Sequence, residues 1–199
     1  SIDPYVRAVA LYALSERGVT DEELLSRLAA DEHELVRETA LSLIVRGVEQ
    51  KGAERVPLSS VEKMIALRAA PIFSRLAPEE LSELSHASRE DFYMAGQTLC
   101  LQGEPGNEVF IILSGQVSVM RRDEAGQEKL VNREGAGGLI GEMAVLDPAP
   151  RAATVSATSA EGVRVLRLDG EAFRDVLADD PSIAAGVIRT LAQRLRGMS

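Results

Sequence analysis

Residues 135–155 read GAGGLIGEMAVLDPAPRAATV, and the fold is decided by how this stretch is read. Four glycines, one glutamate and one arginine fall between two runs that read as strands. Glu142 sits among Leu139, Ile140, Met143, Ala144, Val145 and Leu146, and Arg151 between Pro150 and Ala152-Ala153. A carboxylate or guanidinium in apolar company costs desolvation energy unless something pairs with it. Glycines beside them let backbone N–H groups come close to a ligand. The stretch therefore predicts a pocket for a small anionic, hydroxylated molecule. The rival reading is a structural Glu142–Arg151 ion pair in an empty barrel.

Upstream of this stretch the hydrophobic period is two. Phe92–Met94, Thr98–Leu101, Val109–Leu113, Gln116–Met120 and Lys129–Asn132 read as short strands, and Ala152–Thr158 and Gly162–Leu168 complete the set. Turns at Ala95-Gly96, Gln102 to Asn107, Ser114-Gly115 and Glu124 to Gln127 separate them. Short strands at this spacing predict a closed or sandwich-like antiparallel barrel. Farther out the period becomes helical. Ser59 or Ser60 caps a helix to Ala69 whose apolar face carries Val61, Met64 and Ile65, and Pro78 opens another carrying Leu81, Leu84 and Ala87. Asp169 caps a helix to Leu177, and Asp180-Pro181 starts the last one.

Residues 1–47 contain a repeat: Val6-Arg7-x-x-Ala10-Leu11-x-x-Leu14 returns as Val36-Arg37-x-x-Ala40-Leu41-x-x-Ile44. Arg17-Gly18 and Arg46-Gly47 read as helix ends, and Thr20 with Glu23 as a capping box between the copies. The pattern from Asp3 to Ala10 resembles HEAT repeats, whose units stack into solenoids of about three or more. The expected organisation is a HEAT-like segment and linker over 1–57 and a second domain over 58–199. That domain has a helical lead-in at 58–90, a roll at 91–168 and C-terminal helices at 169–199.

Composition narrows the function. The 199 residues carry a net charge of −9, and both halves contribute, −3 from residues 1–70 and −6 from 71–199. An acidic chain without tryptophan or a basic cluster is a poor match for nucleic acid. The one cysteine, Cys100, excludes an intrachain disulfide and fits a reducing, cytoplasmic setting. No run of about 18 apolar residues predicts a transmembrane helix. A first residue other than methionine suggests a piece of a longer protein. Two distant histidines, His33 and His86, give no metal cluster, and no nucleophile–histidine pattern stands out, so no catalytic residue, metal or cofactor is expected.

Three features, in order, carry a resemblance: Ala95-Gly96 followed by Gln102-Gly103-Glu104-Pro105-Gly106-Asn107-Glu108-Val109-Phe110; Gly141-Glu142-Met143-Ala144 followed by Pro150-Arg151-Ala152-Ala153-Thr154-Val155; and a helical tail from Pro181. Residues of about 71–196 resemble the cyclic nucleotide-binding domain family of bacterial catabolite-activator-like regulators, protein kinase A regulatory subunits and cyclic nucleotide-gated channels. The resemblance implies an α+β fold, an antiparallel β-roll (double-stranded β-helix or jelly roll) with flanking helices, here preceded by the all-α segment. It implies that Arg151 meets the cyclic phosphate in two-pronged fashion, helped by the N–H groups of Gly141, Glu142, Met143 and Ala144 at a helix start. It further implies that Glu142 accepts the ribose 2′-hydroxyl, that Ala152 and Ala153 let the ring lie close, and that Val119 and Val131 wall the purine.

Ala152 stands where members selective for cyclic GMP often carry threonine, which favours cyclic AMP. The sequence departs from the family pattern at Ile140, Gly138 and Asn107, the last where aspartate is common. The final helix offers no aromatic lid, and Arg194 falls where some bacterial channel relatives place a lid arginine. The expected function is a non-enzymatic cyclic nucleotide sensor that relays binding through its C-terminal lid helix and N-terminal helices. Its expected partner is a protein, or a membrane-transporter or channel domain, reached through the HEAT-like segment. The alternative is an interaction scaffold whose roll binds no nucleotide.

Overall fold

A computed structural model describes residues 3–19, 21–49 and 57–197, with the side chains of residues 47–49, 182, 190 and 193–197 outside that description. The chain divides into two compact units, residues 1–65 and 66–199.

In the first unit Asp3 caps α1 (Pro4–Glu16), its carboxylate accepting from the Tyr5 and Val6 N–H groups. The helix ends as its Arg-Gly pair predicts. Gly18 takes a φ of 67°, and the Val19 N–H reaches back to the Leu14 carbonyl at 2.9 Å. Helix α2 (Glu22–Leu28) is capped by Asp21, whose carboxylate accepts from the Leu24 N–H at 2.7 Å. The cap expected at Thr20 lies outside the described residues. With Asp21 as the cap, Glu23 stands one place short of the capping-box position. Helix α3 (Glu34–Glu49) runs on through Gly47, where an end was expected. One glycine costs a helix only about 1 kcal/mol, which tertiary packing overrides.

Helices α1 and α2 both pack on α3, around Leu11, Ala40 and Leu43. The two copies of the repeat bury opposite faces. Val36 and Ala40 are fully buried, whereas their counterparts Val6 and Ala10 are exposed. Conversely, Leu11 is buried and its counterpart Leu41 exposed. Helix α4 (Ser60–Ala69) opens with a reciprocal cap: Ser59 Oγ accepts from the Glu62 N–H, and Glu62 Oε2 accepts from the Ser59 N–H. Its buried apolar side chains are Val61, Met64 and Leu67, while Ile65, expected on the buried face, is exposed.

The second unit is a roll of two four-stranded antiparallel sheets. Strands β1 (Ser88–Tyr93), β8 (Val163–Asp169), β3 (Glu108–Ser114) and β6 (Leu139–Ile140) lie in that order in one. Strands β2 (Thr98–Cys100), β7 (Thr154–Ala157), β4 (Val117–Arg122) and β5 (Glu128–Glu134) form the other. Phe110, Ile112, Ile140, Val163 and Val165 from the first sheet meet Val117, Val155 and Ala157 from the second in one core. Strand β3 reads as an unbroken apolar run because its sheet is covered on both sides. α5 (Pro78–Ala87) and α7 (Gly170–Asp179) pack over it, with Leu81, Leu84 and Phe173 buried and Ala87 exposed.

A 3-10 turn at Pro71–Phe73 replaces the helix that Pro71 ends, and Phe73 meets Phe173 edge to face at 6.3 Å. Helix α8 (Pro181–Gly197) buries Ile183 and Val187, and its Gly186 lies against Ile72 of the turn. The β-roll with flanking helices is the fold the sequence predicts. Within it, β1 begins at Ser88, before the expected change of period, and the short β6 escaped the periodicity.

Candidate functional site

The site grows from the pairing of β6 with β3, in which Ile140 faces Phe110. Straight after β6, Gly141 turns the chain with a φ of 87° and caps the five-residue helix α6 (Glu142–Leu146). The position demands glycine twice over. The backbone is left-handed, and a Cβ there would lie 2.4 Å from Arg151 Nη1 and 2.8 Å from the Glu108 carbonyl oxygen. Glu142 is 1% exposed at the first turn of α6, and Ala144 and Val145 are buried behind it. The Met143 side chain faces solvent.

Arg151 arrives from the other side. Its N–H donates to the Glu104 carbonyl at 2.8 Å, and its carbonyl accepts from the Gly103 N–H at 2.9 Å, which pins it to the turn before β3. The side chain is buried. Nη1 donates to the carbonyls of Glu108 (2.9 Å) and Gly141 (3.1 Å), and Nη2 to the Glu108 carboxylate (3.2 Å). The guanidinium carbon lies 5.8 Å from the centre of the Phe110 ring. Gly106 makes room for it, since a Cβ there would come within 2.2–2.5 Å of Nε, Cζ and Nη2. The expected partners Gly141, Glu142 and Arg151 are thus brought together.

Neither Gly106 nor Glu108 was singled out from the sequence as a contact of Arg151. Their signal, a glycine and an acid opening the β3 run, is legible only as a turn. Glu108 continues into a surface network, with Arg167 3.9 Å from its carboxylate and 3.1 Å from Asp91.

The remaining predicted residues sit around this core. Ala152 is exposed and Ala153 half-buried on the approach to β7. Val119 on β4 and Val131 on β5 are half-buried at the bulge where the ladder shifts between Val119 and Met120. Val119 packs on the interior core. The side chain of Arg194 lies outside the described residues. Cys100 is half-buried on β2, with Sγ 4.0 Å from the Ala153 carbonyl. Burial pushes its thiol above the ordinary value, against the opposing pull of Arg151. Among the described residues no group of three or more His, Cys, Asp or Glu is arranged to hold a metal, and no helix is long and apolar enough to cross a membrane.

The family model described as "Cyclic nucleotide-binding domain" matches residues 90–180. A CRP-like cAMP-activated global transcriptional regulator of Mycobacterium tuberculosis is 37% identical over 130 residues, which are 65% of this chain and 57% of that protein. The chain thus spans little more than half of that relative. The N-terminal domain of a transcriptional regulator from Streptomyces coelicolor is 33% identical, with a TM-score of 0.51 over 66% of this chain and 90% of that one. The regulatory subunit of a cAMP-independent protein kinase A from Trypanosoma brucei is 28% identical, with a TM-score of 0.59 over 66% of this chain and 48% of that one. With the roll, the Gly141 turn and the buried Arg151 in place, these likenesses show that the chain belongs to the cyclic nucleotide-binding domain family.

Proposed function

We propose that this chain is a regulatory sensor that binds a cyclic nucleotide, cAMP in preference to cGMP, and that it catalyses no reaction. The observation that carries the reading is the buried Arg151 guanidinium held against the start of α6. Its three hydrogen bonds to Glu108 and Gly141 leave Nε–H and one Nη2–H without a protein acceptor among the described residues. A cyclic phosphate, with one negative charge and two exocyclic oxygens, suits such donors and the N–H groups at the first turn of α6. Glu142 takes the ribose 2′-hydroxyl, and Val119 and Val131 flank the base. Ala152 offers no hydroxyl to a guanine amino group, which favours adenine. Calorimetric titration with cAMP and cGMP tests the reading. Micromolar cAMP binding, weaker for cGMP, is expected, and no binding at millimolar nucleotide would overturn it.

The relay runs through α8, which closes over the base, and through the helices before the roll. The close contact of Gly186 with Ile72 supports this route, because it joins α8 to the turn at Pro71–Phe73. The first unit serves as the partner-binding part, with HEAT-like stacking as its mode. The exposed Val6–Ala10 face supports this, since the equivalent face of the second copy is the one buried under α1 and α2. A second reading, a scaffold whose roll takes no nucleotide, is favoured by the cAMP-independent relative from Trypanosoma brucei. The same titration separates the two.

A further inference from the structure

Asn107 and Glu108 are neighbours with separate tasks. Glu108 holds Arg151 through its carbonyl and its carboxylate. Asn107 holds α7. Its carbonyl accepts from the Gly170 N–H at 2.7 Å, and its side-chain oxygen accepts from Arg174 Nη1 at 3.1 Å. The fit is close, because a Cβ on Gly170 would lie 2.4 Å from Asn107 Oδ1 and 2.6 Å from its carbonyl oxygen. The same Nη1 of Arg174 also donates to the Val145 carbonyl at 3.3 Å, at the far end of α6. A helix leaves its last carbonyls unpaired and carries partial negative charge there, so a guanidinium is a favourable partner. One side chain therefore ties together the turn that holds Arg151, the helix that opens at Gly141, and α7, whose end leads directly into α8.

We propose that Arg174 is a positioning residue, a latch that makes α6 and α7 move together and so carries events at the nucleotide pocket to α8. The latch rests on the reading of the pocket given above. Helix α6 is five residues long, about 7.5 Å, and a rod that short cannot absorb a displacement along its length. A shift of its first turn on phosphate binding reaches Val145, and there Arg174 passes it to α7. Arg174 is itself exposed, so removing it opens no cavity in the core, and the roll still folds.

The test is amide hydrogen exchange on the whole chain, wild type against Arg174→Ala and Arg174→Lys, with and without cAMP. Without nucleotide, the Gly170 amide of Arg174→Ala should exchange about two- to tenfold faster, the worth of one hydrogen bond. With cAMP, Arg174→Ala should keep the change in exchange over residues 141–155 and lose most of it over α7 and α8. Arg174→Lys, which keeps a cation at the Val145 carbonyl, should restore much of that response. A merely structural role would slow or speed exchange without removing the response to nucleotide. Wild-type exchange at Gly170 together with an undiminished response of α7 and α8 in Arg174→Ala would overturn the latch. A wild type that binds cAMP without any change in α7 and α8 would overturn it too. A wild type that binds no cAMP would instead overturn the reading of the pocket, and the latch with it, whatever Gly170 does.

Discussion

Two arginine–glutamate pairs, one in each unit, show how an ion pair that builds a fold differs from one that builds a site. In the first unit Arg46 meets Glu62 at 2.5 Å, and the buried member is the carboxylate, whose side chain is 6% exposed against 25% for the arginine. Glu62 is fully engaged, since it also accepts from the N–H and hydroxyl of Ser59 and so closes the cap of α4. In the second unit Arg151 meets Glu108 at 3.2 Å, and here the guanidinium is buried at 4% while the carboxylate is 41% exposed. A buried carboxylate with every lone pair answered is finished. A buried cation whose ion-pair partner stands half in solvent is only partly screened by it, which leaves the guanidinium suited to an anionic ligand.

Breaking each pair on its arginine should expose that difference, and the largest effect belongs to the site. Arg151→Ala removes charge-assisted hydrogen bonds worth about 1.5–3 kcal/mol, so cAMP affinity should fall about 10- to 150-fold. Glu108, already near water, rehydrates, and the unfolding midpoint in urea should move little. Titration and urea denaturation of the same sample check both halves.

Arg46→Ala should give the reverse. It strips a buried carboxylate of its cation, at a cost of about 1–3 kcal/mol in stability, with cAMP affinity unchanged. An equal loss of nucleotide binding would mean that the Arg46–Glu62 pair is no mere part of the fold.

Gly106→Ala sharpens the comparison further, because it moves the guanidinium without deleting it. The three atoms nearest the new Cβ, at 2.2–2.5 Å, would all belong to the end of the Arg151 side chain. The guanidinium must shift, and cAMP affinity should fall about five- to tenfold, the worth of one good hydrogen bond. Stability should hold or rise by about 0.4–1 kcal/mol, since the substitution also restricts the unfolded chain.

Much of this was readable beforehand wherever the signal was local. Gly141 before an apolar helix turn, the Asp169 cap, Gly18 past α1 and the Glu124 to Gln127 hairpin turn each follow from a few adjacent residues. What could not be read depends on closure of the roll. Glu108 and Gly106 meet Arg151 only because β3 and the segment before β7 converge, more than forty residues apart in sequence. The grip of Arg174 on Asn107 spans a still longer separation. Ile65 was misplaced for a related reason: a helical face is apolar in sequence, but which edge of it is covered depends on the neighbours. What closes the start of α2 is Asp21, whose charged oxygen accepts from the Leu24 N–H.

The smallest effect reads the fields of the two pairs directly. Burial raises Cys100 from an ordinary value of 9.0, and Arg151 opposes it more than Glu104 or Glu108 assists. Burial also raises Tyr12 from 10.0, but there Glu62 assists more than Arg46 opposes. The largest single charge effect at Cys100 is thus that of the buried cation, and at Tyr12 that of the buried anion. Both groups hold their protons longer in the folded chain than in the unfolded one. Their contribution to stability is therefore fully present below pH 9 and is lost as pH rises through the folded values, which lie above the ordinary ones. The urea midpoint should owe these groups no change between pH 7 and 8.5, then fall above pH 9. Cys100→Ser should flatten the first part of the fall and leave the part beginning near pH 10. Arg151→Ala should raise the Cys100 thiol further and slow its alkylation at pH 8.5, whereas Arg46→Ala should leave that rate unchanged. Equal rates in the two variants would show that the field at Cys100 does not come from Arg151, and the contrast between the pairs would lose its electrostatic half.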